Sequence, residues 1–513
     1  MVSTEGPPRL SRALLDALRT PRGQAIDVPN ASLLELPETV VQFGTGGFLR
    51  GFVGDFLHRA NVQGKFNGRV VVVGSTGSAR NGSIRDQDGL YTLVVQGRRI
   101  DEEPMQECRI ITSVSRALSA VDEWDAVLAL AREPQLQLVF SNTTEVGITL
   151  HPTDGAADAP PSSFPAKLTR FLWERAKTFD FDVARGLVII PCELIEDNGT
   201  KLEEIVHALA RRWKLDARFA TWLDDAVPFC NTLVDRIVPG TPRGDNARAL
   251  TRMLGYEDAL LTCCEPYCLF AIEGDDAMRA RLGWTSVDPG IVVSEHIGPY
   301  RERKVRLLNG AHTLLVPVAL PMGCELVRDA ITHPAIGRFV RQAMLEEIAP
   351  TLDADGAAEF AEAVLERFQN PFIMHALIDI TLQATMKMRV RVVPTIQRFV
   401  SRTGQVPQSL AFGFAAFLLF MQGQCQATRR EHGLTVPADD HAAHLKTLWE
   451  RIPADADAPV GEFVWSVCRD SALWGTDLTL VAGFCEAVAD HLWRARSLGV
   501  GAALDHHLST TVA

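Results

Sequence analysis

Residues 38–57 read E-T-V-V-Q-F-G-T-G-G-F-L-R-G-F-V-G-D-F-L, and this stretch decides the fold of the first half of the chain. E-T-V-V-Q-F is a short β-branched run, the pattern of a strand, and G-T-G-G is a glycine turn that opens into an apolar helical repeat. R-V-V-V-V-G (69–74) supplies a second buried strand, so strand, glycine loop, helix and strand make one βαβ unit. Further strands are expected at Q-L-V-F (137–140) and G-L-V-I-I-P (186–191). Helical stretches such as A-L-S-A-V-D-E-W-D-A-V-L-A-L-A (117–131) separate them. The alternation predicts an α/β fold, a Rossmann-like, doubly wound, mostly parallel sheet.

From about residue 299 the texture changes. Helical patterns are expected over 299–319, 333–350, 356–368, 371–389, 408–423, 440–450, 459–469 and 476–495, and strand signals nearly vanish. Two domains follow: a dinucleotide-binding domain over 1–295 and a mainly α-helical C-terminal domain over 296–513 that binds substrate and carries the catalytic residues. The 513 residues are too many for one ordinary core.

Composition narrows the class. With 47% hydrophobic and 22% charged residues the chain reads as soluble and globular, and a net charge of −12 argues against a nucleic-acid partner. The N-terminus M-V-S-T-E-G-P-P-R-L has no signal-peptide core. The longest apolar run, 410–421, falls short of the roughly 20 residues of a membrane span and reads as a buried helix. The ten cysteines show no C-x-x-C pair and suit reduced thiols in the cytoplasm. Cys263, Cys264 and Cys268 have no second pair of ligands, and a site built on His432, Asp440, His441 and His444 would rest on an acidic surface loop. No metal is expected. The assembly is expected to be a monomer or a small homo-oligomer.

In the glycine loop, Gly44 and Gly46 match the start of G-x-G-x-x-G but the third position is Leu49. Glycine there lets the backbone approach a pyrophosphate. The loop, through Gly44, Gly46, Gly47, Phe48 and Arg50, is the expected cofactor contact. The second strand ends in G-S-T-G-S-A-R, where an acidic residue would normally hold the adenine ribose. It holds no Asp or Glu, and Ser75, Ser78 and Arg80 could contact a 2'-phosphate, so the loop itself leaves NAD and NADP both open.

In the helical half, K-V-R-L-L-N-G-A-H (304–312) places Lys304, Asn309 and His312 within a sector of about 140° of an α-helix, beside Leu307 and Leu308. Buried polar groups without partners cost roughly 1–3 kcal/mol each, so either they satisfy one another or a ligand does. A Lys in a partly apolar cleft loses solvation of its charged form and becomes a usable acid or base, and an Asn and a His one or two turns on can fix an oxygen beside it.

The spacing K-x-x-x-x-N-x-x-H resembles the signature of the mannitol dehydrogenase family, the polyol-specific long-chain dehydrogenases. The resemblance extends through Q-F-G-T-G-G-F-L-R, Q-D-G-L-Y-T, S-N-T-T-E-V-G, P-A-K-L-T-R, P-C-E-L-I-E-D-N-G, N-T-L-V-D-R-I, P-Y-R-E-R-K and R-F-Q-N-P, in order along the chain. It implies metal-free transfer of hydride between NAD and a keto or hydroxy carbon. It also gives Lys304 the proton, Asn309 the reacting oxygen and His312 the substrate's orientation. Thr143, Thr144 and Glu145 of S-N-T-T-E join the implied cofactor contacts. The family's C-[DE]-N reads C-E-L here, leaving Asn198 as the nearest second oxygen-holding Asn, and Asp235 matches an acidic position near the site.

V-F-S-N-T-T-E, I-I-P-C-E-L-I and M-K-M-R-V-R resemble the branch of the family that reduces keto-hexuronates. The implied reaction is D-tagaturonate to D-altronate, with fructuronate reduction or mannitol oxidation as alternatives and a non-catalytic dinucleotide sensor as a rival of another class. Polyol-oxidising relatives place an Arg eight residues before a substrate-binding Lys. Here the Lys is Lys387 and the Arg position holds Asp379, while Arg389 and Arg391 follow and His375 precedes. A hexuronate carries a carboxylate that a polyol lacks, and Arg binds it by a two-pronged contact. Lys387 with Arg389 or Arg391 is therefore expected to receive that carboxylate.

Overall fold

The structure is a computed structural model that describes residues 7–18, 26–75, 79–97, 105–143, 147–242, 244–422, 438–452 and 460–510. The chain forms two compact units, Met1–Ile297 and Gly298–Ala513.

The first unit is built on a five-stranded parallel sheet. Its strands are β1 (Glu38–Phe43), β2 (Arg69–Gly74), β3 (Val114–Ser119), β4 (Leu138–Ser141) and β5 (Val188–Pro191), in the spatial order β3-β2-β1-β4-β5. This is the Rossmann order, with the reversal at β1. The strands are apolar almost throughout because both faces are covered, and the period of two sorts their side chains. Val40, Val70, Val72, Leu138, Phe140, Val188 and Ile190 enter one core, while Val41, Phe43, Val71, Val73, Val139 and Ile189 enter the other.

The stretch 117–131 is not one helix. Ala117–Ser119 closes β3 against β2, and the helix begins only at Trp124. A short apolar run fits strand and helix equally well, and here the free edge of β2 decides. Two smaller sheets were not foreseen. Tyr91–Gly97 and Met105–Ile111 pair antiparallel, with Thr262–Cys264 and Ile26–Asp27 at the edges. Leu269–Glu273 lies between Thr232–Asp235 and Ile291–Ser294.

The second unit is helical among the described residues. Its central helix, Gln408–Met421, is buried from Ser409 onward, and Gly413 lets it approach Gly310–Ala319 closely: a Cβ there would lie 2.5 Å from Leu314 Cδ2. No helix among the described residues is long and apolar enough to cross a membrane. The helix expected over 371–389 is broken. Residues 375–377 spend backbone groups on a neighbouring segment, Val327 N–H donating to His375 O and Leu377 N–H to Glu325 O. Helix resumes as Leu377–Ile380, is interrupted at Gln383 with φ +53°, and continues as Ala384–Arg391. Helices at Val327–Thr332, Val393–Thr403 and Val500–Thr510 add to those expected.

Candidate active site

The carboxyl ends of β1, β2 and β4 carry the glycine loop. Gly44 has φ +119°, and a Cβ on it would sit 2.7 Å from Asn142 O, so strain and sterics both demand glycine. Gly46 caps the one-turn helix Gly47–Arg50 in an extended conformation, and a Cβ on it would meet nothing within 4 Å. Backbone there is open to a ligand's close approach, which suits a pyrophosphate. The helix breaks at Phe52 and resumes as Val53–Val62.

Several expected cofactor contacts have other duties. Arg50 is buried, with Nε donating to Thr262 Oγ1 at 3.1 Å and an Nη to Thr45 O at 2.9 Å, so it braces the glycine loop. Phe48 stacks on Phe52 with ring centroids 4.9 Å apart. Ser75 is exposed just past β2. Ser78, Thr144 and Glu145, like His432, lie outside the described residues.

Thr143 donates both its backbone N–H (2.9 Å) and its hydroxyl (3.0 Å) to Glu193, which also accepts the Ser141 hydroxyl at 3.0 Å. Glu193 is buried, and that burial raises its carboxyl above the ordinary range against the pull of these hydrogen bonds. It ties the end of β4 to the end of β5, and its one mark in the sequence is that it is the acidic member of C-E-L.

Asn198 corrects the expected second oxygen-holding amide. It is wholly buried, its Nδ2 within 3.0–3.2 Å of Pro191 O, Glu193 O and Thr232 Oγ1. Its Oδ1 accepts from Gly199 and Thr232 N–H, both at 2.9 Å. Nothing is left for a substrate. Asp235 is buried at the end of Thr232–Asp235, and Arg236 pairs not with it but with Asp55 at 2.9 Å.

In the helical unit the stretch that carries K-x-x-x-x-N-x-x-H is not a uniform α-helix. Gly298–Arg303 is α, Lys304–Asn309 is a π turn, and Gly310–Ala319 is α again. Gly310 N–H donates to Val305 O, five residues back. With an i→i+5 repeat, residues five apart lie one above the other, as residues four apart do on an α-helix. Lys304 and Asn309 thereby come onto one face, and His312 follows at i+3. The 140° spread of a regular α-helix is narrowed. Lys304 and Asn309 are half-buried and His312 is buried.

His312 stacks on Phe368 (4.3 Å, 29°) and meets His375 edge-on at 5.0 Å. Its Nε2 is buried with no hydrogen-bond partner among the described residues. Burial, then the charges of His375, Arg391, Arg367 and Lys387, push its pKa well below the usual value, so the ring is neutral at pH 7. His375 precedes the helices of its segment rather than lying within one, and burial lowers its pKa too, against the opposing effect of Asp379.

Lys387 donates to Ile380 O at 2.9 Å. Arg391 donates to Asn309 O (3.4 Å) and Thr313 Oγ1 (3.3 Å). Burial alone lowers its pKa to about 10, and no carboxylate among the described residues pairs with it. Arg389 corrects the expectation that either arginine could serve: it is exposed, donates to Ala472 O at 3.4 Å and packs on Gly475. Arg367, quoted within R-F-Q-N-P but not singled out, is a buried cation whose charge reaches His312. Long-range charge convergence of this kind leaves no local pattern to find.

Comparison with known proteins agrees with this architecture. The Mannitol dehydrogenase Rossmann domain matches residues 38–286 and the Mannitol dehydrogenase C-terminal domain matches 296–495. The chain is 40% identical to an altronate oxidoreductase of Pectobacterium carotovorum, over 91% of this chain and 96% of that one. It is 40% identical to an altronate oxidoreductase of Bacillus subtilis over 92% and 96%. The mannitol 2-dehydrogenase of Pseudomonas fluorescens, solved with NAD and D-mannitol, shares the fold at 21% identity and a TM-score of 0.68, over 98% and 99% of the two chains. With both halves matched in order, this chain belongs to the mannitol dehydrogenase family.

Proposed function

We propose that this protein is an altronate oxidoreductase, reducing D-tagaturonate to D-altronate and running in reverse with altronate. The relatives at 40% identity bear that name. The physical observation that carries the reading is Arg391: among the described residues this largely buried guanidinium has no counter-charge, and the neutral His312 beside it has no partner for its Nε2. Burying an unpaired charge is costly, and a substrate carboxylate removes that cost. A polyol offers no such group.

The glycine loop fits a dinucleotide, with Gly44 and Gly46 presenting bare backbone and Gly47, Thr143 and Ser75 nearby in sequence or at neighbouring strand ends. When bound, NADH supplies the reducing equivalent to the keto carbon. Lys304 gives its ammonium proton to the developing alkoxide, and in the reverse direction the neutral amine takes it back. Asn309 holds the reacting oxygen and His312 hydrogen-bonds a neighbouring hydroxyl. Lys387 and Arg391 receive the carboxylate, with Arg367 adding positive potential and the neutral His375 ring closing the site beside His312.

Initial rates with tagaturonate, fructuronate and fructose, each with NADH and with NADPH, test this reading. The expected result is the highest kcat/KM for tagaturonate with NADH and none above background in Lys304→Met. A preference for the neutral ketose would sink it.

A further inference from the structure

A π turn is rare and frequent at functional sites, and contacts from a neighbouring element can hold it against relaxation to the ordinary α-helix. The structure shows such a grip on Lys304–Asn309. Arg306, inside the turn, donates through one Nη to Val390 O at 2.6 Å and to Arg391 O at 3.4 Å, the last carbonyls of the helix Ala384–Arg391. Its other Nη lies 3.8 Å from Glu302, which Arg398 also holds at 2.6 Å. In return Arg391 donates to Asn309 O, a carbonyl shared with the Thr313 hydroxyl at 2.9 Å. Each arginine thus grips the backbone of the other's element. The helix C-terminus, with its partial negative charge, favours a cation at Arg306.

We propose that Arg306 is a positioning residue: by clamping the π turn to the end of Ala384–Arg391 it keeps Lys304 in phase with Asn309, without touching substrate. If the turn relaxed to α, the Lys304 side chain would swing by about 100° relative to Asn309. The same clamp links the carboxylate-receiving helix to the reacting pair. It rests on the reading of Lys304 and Asn309 given above.

The test uses the full-length enzyme, with Arg306→Met, Arg306→Lys and, in parallel, Lys304→Met. Reduction of tagaturonate is followed at saturating NADH, NADH binding is titrated by fluorescence, and melting is recorded for each variant. A displacement of about 1 Å can cost about 100-fold in rate, so Arg306→Met is expected to lose about 10- to 100-fold in kcat while its KM stays within about threefold. Its pH limb for kcat should move, since Lys304 changes surroundings, and added ethylguanidinium should restore part of the rate. Arg306→Lys should fall between, one ammonium replacing a fork that reaches two carbonyls. Parental kcat and pH profile in Arg306→Met would overturn the clamp. So would a loss that follows a lowered melting temperature and is not relieved by ethylguanidinium. Parental turnover in Lys304→Met would instead overturn the reading of the site, whatever the Arg306 variants do.

Discussion

Arg391 and Arg389 stand two positions apart on one short helix, and their surroundings give them different work. Arg389 is exposed against the turn at Ala472–Gly475, whereas Arg391 is drawn inward to Asn309 and Thr313 with no acid among the described residues to meet it. Replacing Arg391 by Met should raise KM for tagaturonate by about 10- to 100-fold, the scale of a charge-assisted contact of roughly 1.5–3 kcal/mol, and should raise KM for fructose far less. Steady-state kinetics on both substrates checks this, and an equal rise on both would refute the assignment. Arg389→Met should leave both values near parental. Lys304, Asn309, His312 and Lys387 stand out in the sequence by residue type and spacing. Asn198 differs from its expected role because sequence shows what a side chain can bond to, and only its neighbours show whether those bonds are already made.

The elements were read well where periodicity is long and poorly where tertiary contacts choose between two forms. β1, β2, β4 and β5 and the helices over 357–368, 408–421 and 461–469 follow their patterns. The 117–119 run became a strand because β2 offered an edge, and 371–376 lost its helix to backbone bonds with 325–327. The π turn matters most, because it sets which side chains share a face, and no helical wheel drawn from sequence contains it. At the sheet, Glu193 holds the end of β4 through both the backbone and the hydroxyl of Thr143. Glu193→Ala leaves the Thr143 N–H unpaired at a cost of about 1–3 kcal/mol, so NADH affinity should fall several-fold in a fluorescence titration while kcat at saturating NADH changes little. Unchanged affinity would mean the turn after β4 does not depend on that carboxylate.

Across the whole molecule, buried titratable groups set the response to pH. His58 in the first unit and His491 and His507 in the second are held neutral by burial, each with a pKa of about 4 against 6.5 when unfolded. A lowered histidine pKa means the unfolded chain binds more protons, so this stability is full above pH 6.5 and is lost as pH falls toward 4, by about 3 kcal/mol per group. Glu347, which accepts the Ser409 and Leu410 N–H groups at the start of the central helix, acts oppositely. Burial raises its pKa to about 7, so its contribution is greatest below pH 4.5 and declines as pH rises to 7. Three histidines outweigh one glutamate, and the melting temperature should drop between pH 6.5 and 5. His491→Phe, which removes a buried Nε2 without a partner among the described residues, should flatten that drop, as melts from pH 8 to 5 would show.

Sequence by itself determined the two-part organisation, the glycine-loop strand order and the residue types able to move a proton, because hydrophobic period and short-range spacing are local properties. Tertiary structure alone decided the phase of Lys304 against Asn309, the isolation of Arg391 from any acid among the described residues, and the withdrawal of Asn198 into the framework. Those depend on contacts between residues tens to hundreds of positions apart, where desolvation and hydrogen-bond competition choose among forms that the local chain permits equally.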